Sequence, residues 1–579
     1  MAGPVPLGGG RVRFSLWAPS AADVALHVDG AAPVPMRAAA DGWYELETPA
    51  RPGDRYKFVL GDGQAVPDPA SRAQHGCVHD WSVLVDPAAF AWRHQEWRNR
   101  PWHEAVIYEV HVGAAGGFNA LAARLPELAA LGVTAIELMP VADFPGRHNW
   151  GYDGVLLYAP DTAYGTPDEL RALVDTAHGL GLMVMLDVVY NHFGPDGAYL
   201  HGFARPFFDP EVHTPWGAAI DFKRPQVQEY FISNALMWVN EYRFDGLRFD
   251  AVHAISPPEF LPEMARAIRA GAARDVHLVL EHEGNKASLL RAGPGQAGFD
   301  AQWSDDFHHC VHVLLTGESE GYYAGFQDPA RQLARALAEG FVYQGETPPG
   351  HDAPRGERSG HLPPTAFVIC LQNHDQIGNR AFGDRLSALA DPCALRAATT
   401  LMLLSPFIPL LFMGEEWGTR TPFLFFTDHN DELAPLVRDG RRKEFKHFAA
   451  FQDEAMRARI PDPNARSTFE NSVPDPAEAA TSPFSDTLDL HRTLLRLRRD
   501  HIAPGIPGCR SLGAHAVGQH AVYAAWRLGN GATLTLQCNL GGSAVAMPPA
   551  PGHLLFSSTG NDGAEIPAFT TRAYVESVS

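Results

Sequence analysis

A chain of 579 residues is long enough for two or three domains, one of which could be a complete barrel. Its 45% hydrophobic and 20% charged content is that of an ordinary soluble globular protein. The formal net charge of −21 argues against a nucleic-acid or anionic-membrane surface, because phosphates would be repelled, whereas a neutral sugar polymer meets no such repulsion.

Six scattered cysteines (Cys77, Cys310, Cys370, Cys393, Cys509 and Cys538) form no C-x-x-C pair, which fits thiols in a reducing compartment better than a disulfide framework. The first ten residues hold no positive region followed by an apolar run, so no signal peptide is expected. Leu401 to Met413 is too short to span a membrane and contains two prolines. A cytoplasmic protein is expected.

Residues 11 to about 88 read as short strands punctuated by Gly, Pro and Asp, among them Arg11–Trp17, Val24–Val28, Trp43–Leu46 and Tyr56–Leu60. They predict a β-sandwich over residues 1–90. A linker with Trp92, Trp97 and Trp102 follows, and strands then alternate with helices. Ala105–His111, Val133–Leu138 and Leu182–Asp187 are the first three strands, with helices Leu121–Leu131 and Leu170–Leu180 between them. This alternation predicts a parallel sheet closing as a (β/α)8 TIM barrel over 91–500, an α/β fold. A Gly- and Pro-rich excursion at about 193–222 reads as a small insertion, and Gln226–Glu241 returns to helix. Strand six is placed near Ala301–Trp303 and strand eight at Leu410–Met413. Residues after about 420 look irregular until a helix at Leu488–Arg499, and the run Arg441-Arg442-Lys443 reads as a solvated face. From 501 to 579 strands such as Val522–Trp526 and Leu534–Asn539 predict a C-terminal β-sandwich.

Three apolar runs end in an acid. Gly246-Leu-Arg248-Phe leads to Asp250, Val276-His-Leu-Val-Leu to Glu281, and Thr365-Ala-Phe-Val-Ile-Cys-Leu-Gln to Asn373-His374-Asp375. Strand alternation points Arg248 and Asp250 to one side. The pair either keeps Asp250 ionised, as a nucleophile requires, or only ties strand to helix. Glu281 follows a largely apolar strand, which should raise its pKa as a general acid requires. His308 and His312 have a spacing that can chelate zinc, but no third ligand is evident.

In chain order, Asp187-Val-Val-Tyr-Asn191-His192, Gly246-Leu-Arg248-Phe-Asp250-Ala, Glu281 and Asn373-His374-Asp375 resemble the four short motifs of the alpha-amylase superfamily of glycoside hydrolases. The resemblance implies Asp250 as nucleophile, Glu281 as general acid/base and Asp375 as the carboxylate that holds sugar hydroxyls and sustains developing charge. His192, Arg248 and His374 would surround the sugar at the cut, and Tyr152 in Asn149-Trp150-Gly151-Tyr152-Asp153-Gly154 would stack on it. Asn191 stands where many amylases bind calcium, although the rest of such a site is not readable, and no metal or other cofactor is expected. His253, Asn379, Arg380, Glu415 and Glu416 follow catalytic strands and are expected on the leaving-group side.

Phe14-Ser-Leu-Trp17-Ala-Pro-Ser20-Ala looks like the N-terminal module of glucan-acting members, which binds glucan or braces the barrel. Gln372–Leu386, Phe423–His429 and Arg441–Phe445 are similar to the trehalose-releasing hydrolases of the superfamily, which cut the α-1,4 bond next to a terminal trehalose with retention. Glu281-His-Glu-Gly-Asn285 departs from that pattern in its histidine. A glucan branching enzyme and a non-catalytic glucan-binding barrel are the rival readings.

Overall fold

The computed structural model describes residues 3–214, 216–291, 298–560 and 562–577. In its centre, eight strands pair in sequence order and close on themselves: β1 (Ile107–Val110), β2 (Ala135–Leu138), β3 (Met183–Val188), β4 (Gly246–Phe249), β5 (His277–Leu280), β6 (Ala301–Trp303), β7 (Phe367–Cys370) and β8 (Ile408–Phe412). Every pairing is parallel, including β1 with β8. All eight are buried along their whole length, which is why they read as apolar runs rather than alternating ones. Alternate side chains such as Ile107, Met185, Val279, Trp303 and Cys370 pack together inside the barrel.

Helices cover the outside. Phe118–Leu131 ends on Gly132 in the left-handed region, and Pro167–Gly179 opens with a capping box in which Thr166 and Glu169 satisfy each other's backbone N–H groups. The insertion after β3 holds a hairpin, Phe208–Thr214 with Gly217–Ile220.

The N-terminal segment forms two antiparallel sheets, one built on Arg11–Trp17 and Trp43–Pro49, the other on Val24–Val28 and Arg55–Leu60. Val12, Phe14 and Leu16 point into the layer between them. This unit is fastened to the barrel by Tyr230 Oη on the Pro69 carbonyl at 2.8 Å and by an Arg72–Glu241 ion pair at 3.0 Å. The C-terminal unit is a five-stranded antiparallel sheet (Arg510–Val517, Ala521–Arg527, Thr533–Asn539, Thr570–Glu576, His553–Ser557) with a two-stranded companion. Thr571 Oγ1 donates to the Ala397 carbonyl of barrel helix Pro392–Leu404 at 2.8 Å.

Two expectations are corrected here. The stretch after 420 is not irregular throughout, since Leu433–Glu444 is a helix whose few apolar residues gave it no visible period. Arg441 on that helix is not solvated: it is 8% exposed, donates to the Gly378 carbonyl at 2.6 Å, and packs against Phe425 and Phe445. No helix among the described residues is long and apolar enough to cross a membrane.

Candidate active site

Arg248 organises the mouth of the barrel. It is completely buried, with Nη1 donating to Asp187 Oδ2 at 2.7 Å and to Asp250 Oδ1 at 2.8 Å, and Nη2 donating to Glu281 Oε2 at 2.8 Å. One guanidinium thus holds the carboxyls of β3, β4 and β5 on a single fork, a geometry lysine lacks. Its carbon lies 4.0 Å from the centroid of the Trp303 ring, so an aromatic face carries part of the buried charge.

Glu281 Oε2 also accepts the Ala251 N–H at 2.9 Å. Ala251 has φ 41°, in the left-handed region that disfavours a residue with a Cβ. Strain is therefore held directly after Asp250, where it aims the backbone donor at its neighbour's carboxyl.

The electrostatics reverse the expected order of the two acids. Burial pushes the Asp250 carboxyl well up, against Arg248, with Glu281, Asp187 and Asp375 adding to the rise. Burial also works to raise Glu281, but Arg248 and the Ala251 N–H more than offset it and hold Glu281 below its ordinary value. The apolar strand leading to Glu281 gave no sign of this fork.

A second polar chain joins from β7. His374 Nδ1 lies 2.6 Å from Glu109 Oε1 on β1, and its Nε2 lies 2.8 Å from Tyr152 Oη. Tyr152 Oη donates onward to Asp187 Oδ2 at 2.7 Å, which closes the chain on Arg248. The Tyr152 and His374 rings stack at 5.1 Å. Burial opposes charge on His374, yet Asp375 and Glu109 outweigh it and raise the ring to about 9, so it is an imidazolium at neutral pH. Burial raises Asp375, with His374 pulling the other way. The Tyr152 turn depends on Gly151, at φ 107°, because a Cβ there would meet the Pro140 carbonyl oxygen at 2.3 Å.

His192 is buried and lies beside Tyr152 O (2.9 Å), and its ring stacks on Trp216 at 4.4 Å. Burial lowers it to about 4, which leaves it neutral. The amide oxygen of Asn191, at the position associated with calcium, is 2.8 Å from His192 Nδ1.

The leaving-group candidates divide. His253 sits on the turn after Asp250, exposed and 3.7 Å from Glu283, and Asn379 is also exposed, 3.3 Å from Asp375 Oδ1. Arg380 is already engaged, with both terminal nitrogens on Glu318 at 2.7 and 2.9 Å. Glu415 and Glu416 do not join the group. They are 7% and 3% exposed, with Glu416 accepting from Tyr108 Oη at 2.8 Å and Glu415 raised by burial to about 8. The left-handed Gly414 turns them into the protein beneath β8. His308 and His312 serve as hydrogen-bonding groups, to the Leu371 carbonyl at 2.5 Å and to Glu318 at 2.8 Å. Among the described residues no three potential ligands gather as a metal site.

Four residues of this constellation had no role assigned from sequence: Glu109, Glu137, Asp187 and Trp303. Glu109 and Glu137 are single acids inside apolar strands, a signal that alone would have flagged them. Glu137 is buried with neither oxygen partnered among the described residues, and burial, with Glu109 and Asp187 nearby, pushes its carboxyl well up.

Two carboxyls held by one guanidinium at adjacent strand ends, over an open mouth, can supply a nucleophile and an acid to one bond. Comparison with known proteins agrees. Residues 2–89 match the family described as Carbohydrate-binding module 48 (Isoamylase N-terminal domain), 76–206 match Alpha amylase, catalytic domain, and 509–574 match a domain of unknown function. The Malto-oligosyltrehalose trehalohydrolase of Deinococcus radiodurans is 44% identical over 508 residues, covering 86% of this chain and 82% of the relative. A 1.4 Å crystal structure of an alpha amylase from Salmonella typhimurium superposes with TM-score 0.94 at 44% identity, covering 99% of each chain. A 1,4-alpha-glucan branching enzyme of Bordetella parapertussis is more distant, 32% identical over 70% of this chain and 60% of its own length. The chain belongs to the malto-oligosyltrehalose trehalohydrolase family of the alpha-amylase superfamily.

Proposed function

We infer that this chain is a retaining glycoside hydrolase that cuts the α-1,4-glucosidic bond next to the terminal trehalose of maltooligosyltrehalose, releasing trehalose and a maltooligosaccharide. The single observation that carries the chemistry is the Arg248 fork, which brings Asp250 and Glu281 to one guanidinium. In this reading the proton of the pair sits on Glu281 when the bond breaks: Asp250 attacks the anomeric carbon as a carboxylate, Glu281 gives its proton to the leaving oxygen, and Glu281 later takes one back from the attacking water. Asp375, beside the His374 imidazolium, faces the charge that develops on the ring. Tyr152 offers its ring to the same sugar.

An α-glucan is the substrate class that the carbohydrate-binding and amylase matches support. Glucan branching is supported less well, because the branching enzyme matches less of the chain at lower identity. A non-catalytic barrel would have no chemical use for Asp250, Glu281 and Asp375 together. Incubation with maltotriosyltrehalose is expected to yield free trehalose and maltotriose. Branched product from amylose without trehalose release would refute the assignment.

A further inference from the structure

We propose that Asp305 is a substrate-contacting residue on the leaving-group side, accepting a hydrogen bond from a hydroxyl of the sugar just beyond the cut; this rests on the function proposed above. Inward-facing residues alternate along each barrel strand, and the register aligns Arg248 with Val279 and Val279 with Ala301. Carried two residues further, the same layer holds Asp250, Glu281 and Trp303. Asp305 lies two residues past the end of β6, as the first residue of the helix Asp305–Thr316. Ser304 is the N-cap of that helix, with φ −106° and ψ 85°, so it is the contacts of Asp305 that place it.

Its neighbours fix its direction. Asp306 is turned into the protein, where it accepts from Asn285 Nδ2 at 3.0 Å and the Val342 N–H at 2.7 Å. Asp305 stays partly exposed, and its Oδ1 accepts from Gln376 Nε2 at 3.3 Å. Gln376 in turn caps the short helix that bears Asp375, receiving the Asn373 N–H at 3.1 Å. Asp305 therefore stands just past the end of β6, the strand between the one that leads to Glu281 and the one that leads to Asp375, and in contact with the cap of the Asp375 helix. Burial, followed by Glu281 and Asp375, raises its carboxyl to about 7, as a group facing the same space as those two would be. A sugar whose oxygen is protonated by Glu281 has to leave past this position.

The test compares substrates that share the non-reducing side and differ beyond the cut. Asp305→Ala is expected to lower kcat/KM for maltotriosyltrehalose about 10–100-fold, the loss of one hydrogen bond to a carboxylate, while hydrolysis of maltotriosyl fluoride stays within about 3-fold of wild type. Fluoride carries no sugar beyond the cut, so an equal loss on both substrates, or no loss on either, overturns the proposal. Asp305→Asn keeps the shape and the contact with Gln376, and provides the same ratio if the alanine variant fails to fold. If the wild-type chain released no trehalose, the proposed function would fall, and the same ratio with maltohexaose in place of the trehalose-ended substrate would still judge Asp305.

Discussion

Glu109→Gln should make the His374 ring easier to deprotonate while leaving the shape of the site in place. The raised imidazole, from 6.5 to about 9, corresponds to about 3 kcal/mol of preference for the charged ring. Burial opposes that preference, Asp375 and Glu109 create it, and an opposite charge in contact accounts for about 1–3 pH units. The variant ring therefore falls to between about 6 and 8, and the fold loses about 1–4 kcal/mol where wild-type His374 is charged. Because the folded value lies above the unfolded one, this stabilisation is complete below about pH 6.5 and disappears as pH rises through about 9. Thermal midpoints of the two proteins should thus be furthest apart near about pH 6 and converge above about pH 9.5. Isotope-labelled imidazole NMR should show His374 doubly protonated at neutral pH in the wild type, and titrating about 1–3 pH units lower in the variant. An equal midpoint gap at both pH extremes, or a neutral wild-type ring, would refute the reasoning.

Glu281→Gln should lower kcat by about 10²–10⁴-fold, the usual worth of a positioned acid, and lower the thermal midpoint at neutral pH, since Arg248 loses a charged partner. Asp250→Asn should abolish turnover and raise the midpoint at neutral pH, since a carboxyl pushed up by burial costs stability there; a lowered midpoint contradicts this. Proton NMR of the first-formed reducing sugar should show the α anomer, as a covalent intermediate between carboxyls about 5–5.5 Å apart requires, and initial β product would rule retention out. Arg441→Met should cost about 1–3 kcal/mol, because it leaves the Gly378 and Arg380 carbonyls without their buried donor. A solvated arginine would change the thermal midpoint hardly at all.

Much of the barrel was legible in the residues themselves. Gly246-Leu-Arg-Phe is apolar on both faces except for Arg248, so a central strand with one buried cation could be read directly, and Ala301-Gln-Trp was placed as strand six despite its brevity. Asp250, Glu281 and Asp375 were readable because each stands just past the end of such a run, where alternation and strand length alone bring a side chain to the mouth.

Other features depended on partners far along the chain. Glu415 and Glu416 follow strand eight as closely as Asp250 follows strand four, yet the turn at Gly414 and the hydroxyl of Tyr108, some 308 residues away from Glu416, draw them inward. Arg441 looked like one of three surface cations until the loop after Asp375 provided carbonyls for it. The order of the two acids was decided in the same way: local sequence describes a strand's polarity, but a carboxyl's protonation follows from the charges that reach it. Arg248 and the Ala251 N–H reach Glu281 only once β4 and β5 lie side by side. Sequence by itself determined which residues form strands and which acids end them, because alternation and burial are local. The tertiary structure alone decided which of those acids share a cation, since contact between strands sets the electrostatics of the site.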